Sequence, residues 1–223
     1  MLQVLISFAA LFLPWPLRRL VLVHVLRHSI DKTARIGFSL ICSKHLEMGP
    51  ASRVGHLTFC KAGVELVRLG QNAILGNLNW IGAVPLSTGS HFKAETGRRT
   101  ELIVEDHAAI TNRHFIDCTA TVKVGRFSTV AGVHSVILTH SIDLKACKQR
   151  ANSVAIGEYC FVGAACVVLA GTALPDFSVL GANSLLNKVH TEPYHLYAGS
   201  PARPVKRLSS EDGYFTRTTG FVD

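Results

Sequence analysis

Three histidines, His114, His134 and His140, gather in the middle of the chain, and the last opens a polar, basic and aperiodic stretch, THSIDLKACKQRANS, residues 139–153. A neutral imidazole, with an unperturbed pKa of about 6.5, takes a proton from a hydroxyl at neutral pH and hands it on. A histidine where a rigid element meets a loop is therefore a candidate general base, and His140 has that place. No GxSxG elbow supplies a serine nucleophile, and no Gly-rich strand-to-helix turn supplies a phosphate cradle. The scheme left is direct attack by an acceptor that His140 activates, with no covalent enzyme intermediate.

The element that must hold such a base is legible downstream. In IGEYCFVGAACVVLAGTALPDFSVLGANSLLN, residues 156–187, aliphatic side chains recur every six positions at Ile156, Val162, Val168, Leu174, Leu180 and Leu186. Six residues of α-helix advance about 600°, so these side chains would mark no stripe. A single strand of that length would be several times the usual one, and Gly157, Gly163, Gly171 and Gly181 would interrupt it. The fifth position of each hexad is small (Cys160, Cys166, Thr172, Ser178, Ser184), which lets the backbone turn a corner. The pattern predicts a parallel β-helix of short strands, three to a coil of about 18 residues. Upstream the same count runs through Val104, Ile110 and Ile116, then Val124, Val130 and Val136. Earlier it runs through Ile36, Cys42, Met48, Val54 and Cys60, then Leu69, Leu75 and Ile81, and it is lost over residues 83–102. The small fifth slot is broken by His114, His134 and His140. Stacking Ile110 on Val130, about 4.8 Å apart, makes His114 and His134 neighbours inside the wall.

With 48% hydrophobic and 17% charged residues, the chain has the composition of one globular domain with short appendages, not of a disordered one. Its six cysteines form no CxxC pair and read as reduced thiols of a cytosolic protein, not as a zinc or disulfide framework. Lys and Arg outnumber Asp and Glu by 23 to 15, a net charge of +8 that suits phosphates or a lipid surface. It is spread along the chain with no arginine tract or base-stacking motif, which argues against nucleic acid. The N-terminus, MLQVLISFAALFLPWPLRRLVLVHVLRHSI, carries an apolar run at residues 4–13, about half of the roughly 20 residues needed to cross a bilayer. Arg18 and Arg19 follow that run instead of preceding it, unlike a signal peptide. Trp15 between two prolines and beside two arginines points to an anchor lying in the cytoplasmic leaflet. The alternative is a helix that caps the open end of the solenoid or packs on a sister subunit. The division expected is residues 1–33 for this segment, 34–189 for the wall with a loop at 139–153, and 190–223 for an extension.

The hexad run, the THSID stretch and the tail AGSPARPVKRL (residues 198–208) together resemble the hexapeptide-repeat acyltransferases, most of all the sugar and polysaccharide O-acetyltransferases of the maltose and galactoside acetyltransferase type. The resemblance covers residues 104–208 and, more diffusely, 34–82. It implies an all-β fold, a left-handed parallel β-helix, assembled as a homotrimer that binds acetyl-CoA in the groove between two subunits and needs no metal. The general base falls on His140 and an acceptor-contacting asparagine on Asn112, with Asp143 and His134 completing the acceptor site. The coenzyme arm maps to Phe161, Ala164, Ala182 and Asn187, and the cations near its phosphates to Arg203 and Lys206. Phe161 and Ala164 stand where Trp and Ser are common in the family, Asn187 where Thr is common, and Lys206 where Arg is. The implied reaction places the acceptor hydroxyl between Asn112 and His140, which takes its proton and then protonates the departing thiolate. Because the apolar N-terminus replaces the family's acceptor-binding helices, the acceptor expected is a surface polysaccharide or glycolipid precursor made at a bacterial inner membrane. Serine or nucleotide-sugar amine acetylation stays open within the transferases. So do two other readings of the same solenoid, a non-catalytic scaffold and a γ-class carbonic anhydrase with three histidines on a metal. The spacing of the latter's histidine pair, five apart, is met neither by His134 and His140, six apart, nor by His107 and His114, seven apart.

Overall fold

The computed structural model describes residues 2–88 and 91–222. Met1, Gly89, Ser90 and Asp223, which fall in the N-terminal segment, the aperiodic stretch and the C-terminal extension, lie outside these. Each hexad forms a two- to four-residue strand with its apolar residue inward, and successive strands turn onto three faces, giving three parallel sheets around one core. This is the left-handed parallel β-helix of the expected class. Its first sheet stacks Ile30, Met48, Leu69, Val104, Val124, Ile156 and Leu174 inward, all buried. The second stacks Ile36, Val54, Leu75, Ile110, Val130, Val162, Leu180 and Tyr197, and there Ile110 lies on Val130 as the spacing requires. The third stacks Ile41, Cys60, Ile81, Ile116, Ile137, Val168 and Leu186.

Two register readings are corrected by this third sheet. Ile41, not Cys42, pairs with Cys60, and Ile137, not Val136, pairs with Ile116. The turn before Ile41 is one residue short of the hexad and the turn before Ile137 one residue long, and a slip of one exchanges the faces of a strand. Consequently Ser135, fully buried, takes the small corner slot, and His134 is moved out to an exposed turn with φ +64. The five small residues read from residues 156–187 are buried as expected. The wall is longer than residues 34–189: it starts at the strand Ser29–Ile30 and ends with Arg203–Arg207, which pairs antiparallel to His195–Ala198 at the edge of the second sheet.

Coils are interrupted at one corner only, where the chain passes from the third sheet to the first. The aperiodic stretch, described over residues 83–88 and 91–100, is an excursion after Trp80–Gly82. The expected loop at 139–153 is an antiparallel hairpin of His140–Asp143 and Lys148–Ala151. A single regular coil corner, residues 117–121, lies between the two, so the excursions flank one cleft.

The N-terminal segment closes the open end of the solenoid, the alternative the sequence left open. It comprises α1 (Leu2–Ala10), α2 (Trp15–Leu20) and a π-helical turn, Val21–Val25. The end coil presents unpaired backbone carbonyls, which must find donors. Gln3 Nε2 donates to Ser43 O at 2.8 Å; Arg18 donates to Gly37 O at 2.8 Å and Ser39 O at 2.5 Å; Arg19 Nη2 donates to Ile30 O at 2.6 Å. Each of the coil's three corners is thus held, and Leu22 joins the core beneath. The two arginines expected among lipid headgroups instead face the protein, and burial pushes the Arg18 guanidinium below its usual pKa.

Candidate active site

At the corner between the two excursions, Asp117 follows the inward Ile116 and is itself buried. Its Oδ1 accepts from Thr119 Oγ1 at 2.6 Å, and its Oδ2 accepts from the Thr139 backbone N–H at 2.8 Å and from His140 Nδ1 at 2.7 Å. Burial alone would raise the carboxyl pKa; hydrogen bonds from Thr119, Thr139 and His140 outweigh it and hold the group below the usual range, so it is ionised. An ionised acceptor fixes the proton of His140 on Nδ1, leaving the Nε2 lone pair free. Nε2 has no partner among the described residues, and the His140 side chain is 38% exposed. This is the geometry that a general base requires, an oriented imidazole with one nitrogen open.

The excursions supply the walls around it. Phe92 meets the His140 ring edge-on at 6.0 Å between centroids, and the Arg98 guanidinium lies 4.6 Å over Phe92. Arg98 donates to Val84 O at 2.6 Å, Pro85 O at 2.9 Å and Thr119 O at 3.0 Å, tying the first excursion to the corner that holds Asp117. Arg150 of the hairpin reaches Glu95 at 3.4 Å. Between the two excursions lies a cavity of about 650 Å³ with Phe92, Ala94 and Ile142 on its apolar side and His91, Lys93 and Lys148 on its basic side.

Other expected residues stand apart from this corner. Asn112 is in the turn from the second sheet to the third, where its Oδ1 accepts from the backbone N–H and the side-chain amide of Asn77 at 2.8 and 2.9 Å. His134 lies one coil on in the same column of turns. Asp143 closes the hairpin turn, accepting from Ala146 N at 3.0 Å and lying 3.4 Å from Arg150. Ala164 and Ala182 continue the column of Asn112 and His134. A Cβ built on Gly132 would stand 2.5 Å from the Ala164 Cβ, one on Gly163 2.9 Å from the Ala182 Cα, and one on Gly181 3.1 Å from the Ala198 Cβ. This bare track ends beside Arg203, the register partner of Ala198, with Lys206 exposed further along the same strand. Phe161 is half-buried beneath Tyr214, 5.9 Å away edge-on. Asn187 is exposed on the His140 side, after the last third-sheet strand. Within one chain, therefore, His140 and Asn187 lie along one edge of the third sheet, and Asn112, His134, Ala164 and Ala182 lie along the other.

His114 is a wall residue, not a ligand. Its Nδ1 accepts from Ser135 N–H at 3.1 Å, so Nε2 carries the proton and donates to Thr111 Oγ1 at 3.1 Å. Burial, helped by His134, lowers its pKa to about 4. With both nitrogens engaged, it cannot join His134 and His140 around a metal. Asp117, Thr119, Thr139, Phe92 and Arg98 were not picked out of the sequence. Asp117 did carry a signal: an acid directly after an inward isoleucine, at a coil corner.

No family model and no curated protein sequence matches the chain. Solved structures do. A hexapeptide-repeat acetyltransferase from Vibrio cholerae is similar at 15% identity and a TM-score of 0.48, over 93% of this chain and 89% of that one. The polysialic acid O-acetyltransferase OatWY is similar at 18% identity and a TM-score of 0.47, over 86% of this chain and 90% of its own. AntD, an N-acyltransferase from Bacillus cereus solved with an amino-sugar nucleotide and coenzyme A, is similar at 10% identity and a TM-score of 0.49, over 87% and 88%.

Proposed function

We propose that this chain is an acyltransferase that moves an acyl group, acetyl first of all, from a coenzyme A thioester to a glycan hydroxyl. The observation that carries it is the His140–Asp117 pair: a buried, ionised carboxylate orients an imidazole whose other nitrogen has no partner among the described residues, and whose ring packs on Phe92, a residue of the cavity wall. His140 Nε2 takes the acceptor's proton as the hydroxyl oxygen bonds to the thioester carbonyl carbon. The C–S bond then breaks, and the proton passes from Nε2 to the departing thiolate, leaving an ester and a free thiol. Asp117 stays ionised throughout and stabilises the transient imidazolium. The bare track along Gly132, Ala164 and Ala182 suits the extended arm of the coenzyme, and Arg203 and Lys206 at its end suit phosphates.

The site is completed by a second copy, in a homotrimer. The outer face of the third sheet is apolar in every coil: Leu40, Phe59, Trp80, Phe115, Val136, Val167 and Leu185 form one register column, with Trp80 47% and Phe115 43% exposed. The first sheet instead shows Glu47, Arg68 and Lys123. Packing third sheets together removes this column from water and brings one edge of one protomer to the other edge of the next. His140 and Asn187 of one chain then share a groove with Asn112, His134, Ala164 and Ala182 of the partner subunit. The five buried thiols fit a cytosolic chain.

The test is thiol release from acetyl-CoA in the presence of neutral and acidic oligosaccharides, with product mass as the second readout. Glycan-dependent release that His140→Ala abolishes supports the assignment. Release equal in both proteins, or none with any glycan, overturns it.

A further inference from the structure

The cap has two faces, and only the inner one is used by the fold. On α1, Ser7 and Ala10 are buried, whereas Leu2, Leu5 and Phe8 are 72%, 58% and 53% exposed. Phe12, Leu17 and Leu20 continue that apolar surface at 65%, 53% and 49%. Because Gln3, Arg18 and Arg19 bind the end coil at all three corners, these side chains are displayed on a fixed plate, not on a tether. The plate is ringed by positive charge. Residues 1–45 contain six Lys and Arg (18, 19, 27, 32, 35, 44) and one acid, Asp31, hence a net +5 of the whole chain's +8. Arg27, Lys32 and Arg35 are exposed, as is Lys44, which is paired with Glu65 at 2.9 Å.

We propose that this face docks on an anionic lipid bilayer. An apolar plate with a basic rim is the surface that lies in the interface between acyl chains and anionic headgroups. A second copy seated cap to cap would oppose two net charges of +5, and the apolar column that suits sister subunits is on the third sheet, away from the cap. The proposal is independent of the acyl-transfer reading.

The experiment is flotation of the full-length protein with phosphatidylcholine vesicles, with and without phosphatidylglycerol. Binding is expected to both, stronger by about fivefold for each basic residue that reaches the anionic surface, and to persist in part at high salt. Leu5→Glu with Leu17→Glu, two exposed positions, should lower the bound fraction at least about tenfold while the melting temperature and thiol release with a soluble glycan stay as in the wild type. A wild-type protein that stays with the aqueous fraction in both vesicle types, or a double variant that floats equally well, overturns the proposal. So does a wild-type assembly that the double variant halves in mass, since a second copy would then occupy the face.

Discussion

At the scale of single residues, the pairing of His140 with Asp117 makes two substitutions informative. His140→Ala should lower kcat by about 10²–10⁴-fold with the melting temperature retained, the ordinary worth of general acid–base catalysis. Asp117→Asn keeps a similar shape but offers no charge to the imidazolium, so a fall of up to about 10⁴-fold in kcat is expected. An unchanged kcat would show that Asp117 only packs. Two further histidines act on stability. His28 has both ring nitrogens buried without a partner, and burial followed by His45 lowers its pKa to about 4, as burial followed by His134 does for His114. The unfolded chain protonates both at about 6.5, so between these values it binds more protons than the folded one. Stability should be whole above about pH 6.5 and decline by of order 1–3 kcal/mol per group as the pH falls towards 4. Urea midpoints measured at pH 7.5 and 5 check this, and His28→Leu should flatten the slope. His140 was legible because the period stops at it. Asp117 was not, because its role depends on Thr139 and His140, which are neighbours only once residues 117 and 138 share a register.

At the scale of elements, the turns explain what the hexad count missed. His107, Phe127, Tyr159, Phe177 and Tyr194 each take a left-handed φ between 52° and 59° at the corner from the first sheet to the second. For a bulky residue that conformation costs of order 1 kcal/mol. Stacking offsets it: the rings form one column with centroids 4.7, 4.7, 5.3 and 4.9 Å apart. The C-terminal α3 (Gly213–Thr216) and the residues after it cover the column, Phe215 edge-on to Phe177 and Tyr194, and Arg217 donating to Phe127 O and lying 5.5 Å from the Tyr159 centroid. Phe177→Ala removes a ring stacked between Tyr159 and Tyr194 and should cost about 2–4 kcal/mol, seen in the urea midpoint, whereas the same change at exposed Phe221 should cost almost nothing. The strands were legible from residues 156–187 because nothing is inserted there. They blurred elsewhere for a definite reason: a residue missing before Ile41 and one added before Ile137 reversed the apparent facing, and the two long excursions displaced the count.

At the scale of the whole molecule, the proposed trimer and the proposed docking of the cap would together set where the reaction takes place. Trp80→Glu with Phe115→Glu should leave a folded monomer on light scattering and abolish thiol release, because the two edges of the site no longer meet; a trimer, or an active monomer, would contradict the shared site. The cap sets height. His140 follows the fifth strand of the third sheet, four steps of about 4.8 Å above the strand Leu40–Ile41 that α1 covers, and a helical layer adds about 10 Å. A bilayer beneath the cap would thus lie about 30 Å from the catalytic nitrogen. An acceptor glycan anchored in that bilayer must span the gap, so among lipid-linked acceptors in vesicles a long oligosaccharide should be acylated and a lipid-linked monosaccharide should not, while the same two glycans freed from lipid should differ little. Leu5→Glu with Leu17→Glu, by releasing the enzyme from the surface, should erase the length discrimination. Equal rates for both anchored acceptors with the wild type would show that the solenoid does not stand upright on the membrane.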